Sequence, residues 1–268
     1  MRDVMCSRKA MPIRLPATLF LAHSHADHQS IMALKDALPS RTKLDIFFDP
    51  NWDFSKSVSP AIVPRIQAAG GIIFLDSPLS AASAWAFFER EYALLSKKPI
   101  FQFHHKIGKI TRWKSKPLDL AVFPSYNRAD KDQLSMYLQM LQDRFFDSWS
   151  DESISTGSNI QDELNNAIES RLTRGGYFLY FVTPATVLSK WCSAELRHAL
   201  QRFGPQNRII PVLVDNARLP NEMGDIRAFN LTPTAEKSAE WLIDELIILL
   251  YQMIAENTRE QADLARKA

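Results

Sequence analysis

Cysteine is almost missing from this 268-residue chain: Cys6 and Cys192 are its only two, and they lie far apart. That excludes a disulfide framework and points to a reducing, cytoplasmic setting. An excess of one charge sign is missing as well. Thirty-two Lys and Arg against 30 Asp and Glu leave a net charge of +2, too little for a polyelectrolyte that lives on nucleic acid or on a membrane surface. Long hydrophobic runs are also lacking at the start of the chain. The longest early apolar stretch, Ala17 to Ala22, is too short to span a bilayer or to serve as a signal-peptide core. What is present is 46% hydrophobic residues with 23% charged, a composition that excludes disorder for the bulk of the chain. The length suits one large domain or two small ones.

An internal repeat decides between them. Ser77-Pro78-Leu79-Ser80-Ala81-Ala82-Ser83-Ala84-Trp85-Ala86-Phe87-Phe88-Glu89 matches Thr183-Pro184-Ala185-Thr186-Val187-Leu188-Ser189-Lys190-Trp191-Cys192-Ser193-Ala194-Glu195 without a gap, at a constant offset of 106 residues. Both spell hydroxyl-Pro-x-hydroxyl-x-x-Ser-x-Trp-x-x-x-Glu. Each copy follows a Gly-Gly pair and an apolar run, Ile72 to Leu75 in one and Tyr177 to Val182 in the other. Upstream, the run 18–22 ends at Ser24 and Asp27, and the run 118–123 ends at Ser125 and Asp130, which pairs those residues across the repeat. The expected organisation is a first domain over 1–103, a linker over 104–117 and a second domain over 118–268 with a C-terminal helix.

Apolar runs of strand length alternate with helical periodicity in each half. In the second, the pattern predicts strands at 118–123, 145–149, 177–182 and 208–214. It predicts helices at 130–142, 159–172 and 190–203, and an amphipathic helix from Thr234 to about Ala255 with a frayed charged tail. Alternation of this kind implies parallel strands, right-handed crossovers and helices on both faces. The fold class is therefore α/β, with two flavodoxin-like doubly wound parallel sheets in tandem. Ligands of such sheets bind beyond the carboxyl ends of the strands, where strand order reverses. In the second half that crevice is bounded by residues 124–130 and 183–189. Trp191 and Glu195, four apart, share a helix face behind Ser189, a residue suited to N-capping. Spacing alone leaves two readings open, a carboxylate beside an indole in a cleft, or a core Trp with a solvated Glu.

The second half resembles a Toll/interleukin-1 receptor (TIR) domain of the bacterial type. The resemblance rests on Phe123-Pro124-Ser125-Tyr126-Asn127-Arg128-Ala129-Asp130 after the first strand and Trp149-Ser150-Asp151 before a loop with Gly157. Ser189-Lys190-Trp191-Cys192-Ser193-Ala194-Glu195-Leu196 and Ile209-Ile210-Pro211-Val212 complete it. The first half looks like a diverged TIR-like copy that keeps Ser24, Asp27, Ser83, Trp85 and Glu89 but has Ala86 where the other has Cys192. The resemblance implies either a NAD-cleaving enzyme, acting at the nicotinamide–ribose bond in bacterial defence or signalling, or a non-enzymatic homotypic interaction and adaptor module. For the enzyme it implies Glu195 as the catalytic carboxylate, with Glu89 at the same place in the first half. Ser125, Tyr126, Asn127, Arg128, Asp151, Ser189 and Trp191 would hold the nucleotide, and Ser24, Ser83 and Trp85 are their first-half counterparts. NAD would be substrate, with no cofactor and no metal. Partners would be other TIR units, in the same chain or between chains, and a defence-system component. The product, whether ADP-ribose, a cyclic isomer or a base-exchanged nucleotide, is not written in the motifs.

One segment suggests another chemistry. His23-Ser24-His25-Ala26-Asp27-His28 spells the His-x-His-x-Asp-His signature of metallo-β-lactamase-like hydrolases, in which imidazoles and a carboxylate hold catalytic zinc. Only 22 residues precede it, fewer than that fold requires, and the repeat already accounts for Asp27. Elsewhere, Trp241, Leu242, Ile243, Leu246, Leu249 and Leu250 read as the packing face of the last helix, Phe87-Phe88 as core, and Cys192 as a small buried hydrophobe.

Overall fold

The two Gly-led apolar runs become central strands of two separate sheets. The computed structural model describes residues 13–47, 58–149, 159–204, 208–215, 217–224 and 226–267. The chain divides into one unit of residues 1–48 and 63–116 and a second of residues 49–62 and 117–268.

The first unit contains β1 (Thr18–Ala22), α1 (His28–Ala37), β2 (Lys43–Asp45), most of α2 (Ser59–Ala68), β3 (Ile72–Leu75), α3 (Pro78–Ala82), α4 (Ala84–Leu95), β4 (Ile100–His104) and β5 (Lys109–Arg112). Sheet order is β2-β1-β3-β4-β5. The first four strands are parallel, and β5 returns antiparallel to β4. Residues 104–117 are therefore not a linker. They carry a hairpin that the rest of the unit holds in place. His104 bonds Asp76 (2.7 Å) and Thr111 (2.8 Å), while the Arg90 guanidinium lies over the rings of Phe74, Phe87 and Trp113 at 4.8–5.2 Å. Cation–π contact of this kind is strongest where water is excluded. The core comprises Leu19, Leu21, Ile73, Leu75, Phe101 and Phe103 under Ile31 and Leu34.

The second unit contains β6 (Ala121–Ser125), α5 (Lys131–Asp143), β7 (Asp147–Ser148), α6 (Ile160–Thr173), β8 (Tyr177–Val182), α7 (Pro184–Leu188), α8 (Lys190–Phe203), β9 (Ile209–Leu213), β10 (Phe229–Asn230) and α9 (Ala239–Lys267). All its strands are parallel, in the order β10-β9-β8-β6-β7. Every residue of β6 and β8 is buried, as both-face coverage by helices demands. Phe123 stacks between Phe178 (5.5 Å) and Trp149 (5.0 Å).

Several boundaries differ from expectation, and the strand expected at 145–149 is confined to Asp147–Ser148. The first strand of this unit begins at Ala121, not 118, because Asp119 is engaged by Arg174 (2.5 Å) outside the sheet. Its end moves to Ser125 accordingly. The last helix starts at Ala239, after Ser238 accepts a hydrogen bond from the Trp241 N–H (3.2 Å). It runs through the charged tail to Lys267, since Glu, Gln, Arg, Ala and Leu are all good helix formers and no Gly or Pro intervenes. Within the same unit a buried polar knot anchors this helix. Asp244 accepts from the Ser59 N–H (2.9 Å), Arg144 donates to the Ser59 hydroxyl (3.2 Å), and Tyr251 donates to the Arg144 carbonyl (2.8 Å).

Candidate active site

The repeated motif is, physically, two helix N-caps in succession. Thr183 caps α7, accepting from the Thr186 N–H (3.0 Å), with Pro184 at the first helical position; Ser189 then caps α8, accepting from the Cys192 N–H (3.3 Å). Proline suits that position because its missing N–H would be unpaired there anyway. The hydroxyl between the caps has another task. Thr186 and Thr183 both donate to Asp130, Thr183 at 2.5 Å, and Thr186 accepts from the Asn127 N–H (3.1 Å). The loop after β6 is thereby fastened to the loop after β8, across the point where strand order reverses.

The first unit repeats this grip. Ser77 and Ser80 donate to Asp27, and Ser80 accepts from the Ser24 N–H (3.0 Å). Burial alone would raise the Asp27 pKa, but hydrogen bonds from Ser30, Ser77 and Ser80 outweigh it and hold the carboxyl below its usual range. Asp27 and Asp130 are thus true counterparts. Ser24 and Ser125 are not. Backbone bonding puts Ser24 in the place of Asn127, and strand register puts Ala22 opposite Phe74 as Ser125 is opposite Tyr180. The unequal spacings, three residues from Ser24 to Asp27 and five from Ser125 to Asp130, carry that two-residue slip in the sequence, and strand register shows which pair is the true match. The signal for the Asp–hydroxyl grip, an Asp in each loop and two hydroxyls around each Pro, was present in the repeat.

Glu195 sits on the second turn of α8, 7% exposed, and its Oε2 accepts a 2.5 Å hydrogen bond from the Ser125 hydroxyl at the end of β6. Charged-acceptor bonds of this length are among the stronger ones available to a carboxylate. Trp191 is 53% exposed on the same helix. The alternative of a core Trp and a solvated Glu is therefore reversed at both residues. Cys192 is buried, and burial first of all pushes its thiol up to about 11, so it is a thiol and no nucleophile at neutral pH. Burial likewise raises the Tyr180 phenol, with Cys192 and Glu195 adding to the effect.

The remaining expected nucleotide ligands divide. Tyr126 is half-buried and Arg128 exposed beside the crevice. Asn127 is committed to the protein: its Oδ1 caps the turn at the Ala129 N–H (2.9 Å) and its amide donates to the Ala185 carbonyl (3.2 Å). Ser125 is 1% exposed and faces the carboxylate, and Ser189 spends its hydroxyl on the cap. Asp151 lies outside the described residues, as does Cys6. In the first unit Ser83 caps α4 through the Ala86 N–H (3.2 Å), and Trp85 packs edge-on against Phe88 (5.8 Å). Glu89 is 5% exposed, its Oε2 has no hydrogen-bond partner among the described residues, and burial raises its carboxyl well above the usual range.

Several groups of the zinc-like motif and the later histidines have other partners. Asp27 is taken by serine hydroxyls, the buried His23 bonds the Leu21 carbonyl through Nδ1 (3.2 Å), and His105 bonds the Asp76 carbonyl (2.5 Å). Among the described residues, no three His, Cys, Asp or Glu side chains are grouped to hold a metal ion.

Fold and site define a doubly wound α/β domain with a hydroxyl-held glutamate at its topological switch point. The sequence family described as TIR domain matches residues 122–247; this segment of the chain is a TIR domain. Solved structures similar to the chain include the TIR domain of the Toll-related receptor TRR-2 from Hydra magnipapillata, 15% identical, covering 53% of this chain and 98% of that one, with a TM-score of 0.37. Another is a metazoan TIR-STING receptor from C. gigas in complex with 2',3'-cGAMP, 20% identical over 48% of this chain and 38% of that one, with a TM-score of 0.39. No curated protein matches the chain. No described helix is long and apolar enough to cross a membrane.

Proposed function

We propose that the TIR domain cleaves NAD at the nicotinamide–ribose bond with Glu195 as the catalytic carboxylate. The observation that carries this reading is the Ser125–Glu195 hydrogen bond at the switch-point crevice, the region where open α/β sheets bind nucleotides. One carboxylate suffices for this reaction. Glycosidases commonly use a second carboxyl to protonate a leaving alkoxide, whereas nicotinamide leaves a cationic pyridinium as a neutral base. The remaining demand is for negative charge beside a ribose that becomes oxocarbenium-like, and a fixed carboxylate meets it electrostatically. Tyr126, Arg128 and the exposed face of Trp191 would hold the nucleotide. In this reading the chain is a defence or signalling effector, with the first unit a diverged TIR copy that contributes to self-association.

The test is NAD consumption by the purified full chain. Wild-type turnover abolished in Glu195→Gln, with the fold retained by circular dichroism, is the expected result. Equal turnover in that variant removes Glu195 from the reaction.

A second reading, an assembly module without turnover, is favoured by one feature. Leu188 is 84% exposed next to the half-exposed Trp191 at the corner between α7 and α8, an apolar pair in the open of the kind that marks protein contacts. Self-association lost in Leu188→Asp, together with no NAD consumption under any condition, would select it.

A further inference from the structure

The two units hold a glutamate at the same place on the same helix, six residues after the serine that caps it, and the surroundings of the two carboxyls differ systematically. Strand register and the repeat identify the counterparts. Ser125, which donates to Glu195, corresponds to Ala22; Tyr180, paired with Ser125 across β6 and β8, corresponds to Phe74; Cys192, one turn before Glu195, corresponds to Ala86. A hydroxyl, a phenol and a thiol in the TIR domain are thus a methyl, a phenyl and a methyl in the first unit. Ser24 does not substitute for the missing hydroxyl, since its Oγ turns to the Ala26 N–H (3.4 Å).

Resting on the NAD-cleaving reading for the second unit, we infer that Ser125 is the positioning residue that orients Glu195, and that the first unit, lacking this donor, carries Glu89 as a catalytically silent carboxyl. Geometry supports each half. The Ser125 hydroxyl stands 2.5 Å from Glu195 Oε2, a contact that favours the ionised form and selects one rotamer. Among the described residues Glu89 Oε2 is buried without a hydrogen-bond partner, and burying a carboxylate with an oxygen left unpaired is costly enough to favour the protonated form. Burial is what raises the Glu89 carboxyl. Cys192 and Tyr180 both lie near Glu195, and both are raised and therefore neutral throughout the acid range. A neutral acid offers no negative charge to a developing ribose cation, so the chain holds one working carboxylate where its repeat suggests two.

The experiment reads the carboxyls directly, by 13C NMR titration of glutamate-labelled full-length protein, with Glu89→Gln and Glu195→Gln assigning the two signals. The Glu89 signal is expected to stay in its protonated position at pH 7. Ala22→Ser should lower its midpoint, and Ser125→Ala should raise that of Glu195 by about one pH unit, the scale of a lost hydrogen bond to the charged form. Ser125→Ala should also lower kcat for NAD about tenfold with KM within about twofold, the pattern of a lost orienting contact. A Glu89 signal that is ionised at pH 7, or a Glu195 midpoint unmoved in Ser125→Ala, overturns the inference. Titrations as expected from a chain that consumes no NAD would leave the carboxyl assignment standing and reject the enzymatic reading alone.

Discussion

Thr183 donates a 2.5 Å hydrogen bond to Asp130, the shortest of the contacts that close the loop after β6 against the loop after β8. Ser77 and Asp27 make the same contact in the first unit. The carboxylate in each case replaces a backbone connection that parallel strands cannot make directly, because their crossovers run through a helix on the sheet face.

Removing the acceptor should loosen the switch-point crevice without emptying the core. Asp130→Ala leaves the Thr183 and Thr186 hydroxyls short of a partner, a loss of about 1–3 kcal/mol. Chemical denaturation should show it as a lower midpoint with an unchanged slope. NAD turnover, where present, should fall further than global stability accounts for, because Asn127 and Arg128 ride on the same loop.

The start of β8 tolerates only glycine. A Cβ on Gly176 would stand 2.2 Å from the Ala121 carbonyl oxygen and 2.7 Å from that of Arg171, both backbone atoms that cannot swing aside. Gly176→Ala is expected to cost at least about 1–3 kcal/mol through forced backbone shifts. A control at the end of α8 separates space from backbone conformation: Gly204 has φ +75°, and a Cβ there would meet nothing within 4 Å, so Gly204→Ala should cost less, about 1 kcal/mol. Thermal unfolding of the pair ranks them.

The first unit should betray its buried acid through pH. Glu89 has a folded-state pKa raised above the unfolded value, so the unfolded chain releases the proton first as pH rises. Its contribution to stability is complete below about pH 4.5, the ordinary glutamate value, and is lost progressively as pH climbs toward the folded pKa. Glu89→Gln removes that loss. The midpoint of the variant minus that of wild type should therefore grow from pH 4 to pH 7. A difference that is flat across that range would mean that the carboxyl ionises normally in the folded protein.

The anchor of α9 is a buried charge that needs its partner. Asp244→Ala leaves Arg144 in the interior with, among the described residues, the Ser59 hydroxyl opposite it and no carboxylate. Stranding one member of a buried pair costs about 3–5 kcal/mol, whereas replacing both Arg144 and Asp244 by apolar residues should recover part of the loss. A double-mutant cycle in urea measures the coupling.

Trp191 offers the reverse case. The residue is 53% exposed, so Trp191→Ala should move stability by no more than about 0.5 kcal/mol. If its face receives the nucleotide, the KM for NAD should rise several-fold, up to about tenfold, from the lost ring contact. An unchanged KM would confine the residue to protein contacts.

Local chemistry is legible in the sequence. The hydroxyl-Pro motif is read by a handful of adjacent backbone N–H groups, and the caps at Ser77, Ser83, Thr183 and Ser189 follow from it. The strands at Tyr177–Val182 and Ile209–Leu213 and the helix Lys190–Phe203 follow from uninterrupted apolar runs and helical spacing. The hairpin at Lys109–Arg112 escapes such a reading because its strand is short, partly exposed and rich in charge, and its support comes from Arg90 and Asp76, distant in sequence. The extension of α9 escapes it because charge in a tail signals fraying only where helix propensity is also poor.

Sequence by itself thus determined the repeat, its two successive caps, the Asp in each first loop and a glutamate at the same helical position in both halves, because each of these is recorded within a few residues of chain. Only the tertiary structure decided what those glutamates meet. Ser125 and Glu195 lie 70 residues apart, and their contact depends on where β6 ends and on which side of the sheet its last side chain points. With the strand registers alike, a serine at the end of β6 places a hydroxyl beside one carboxyl, while an alanine at the end of β1 leaves a methyl at the matching place in the other unit.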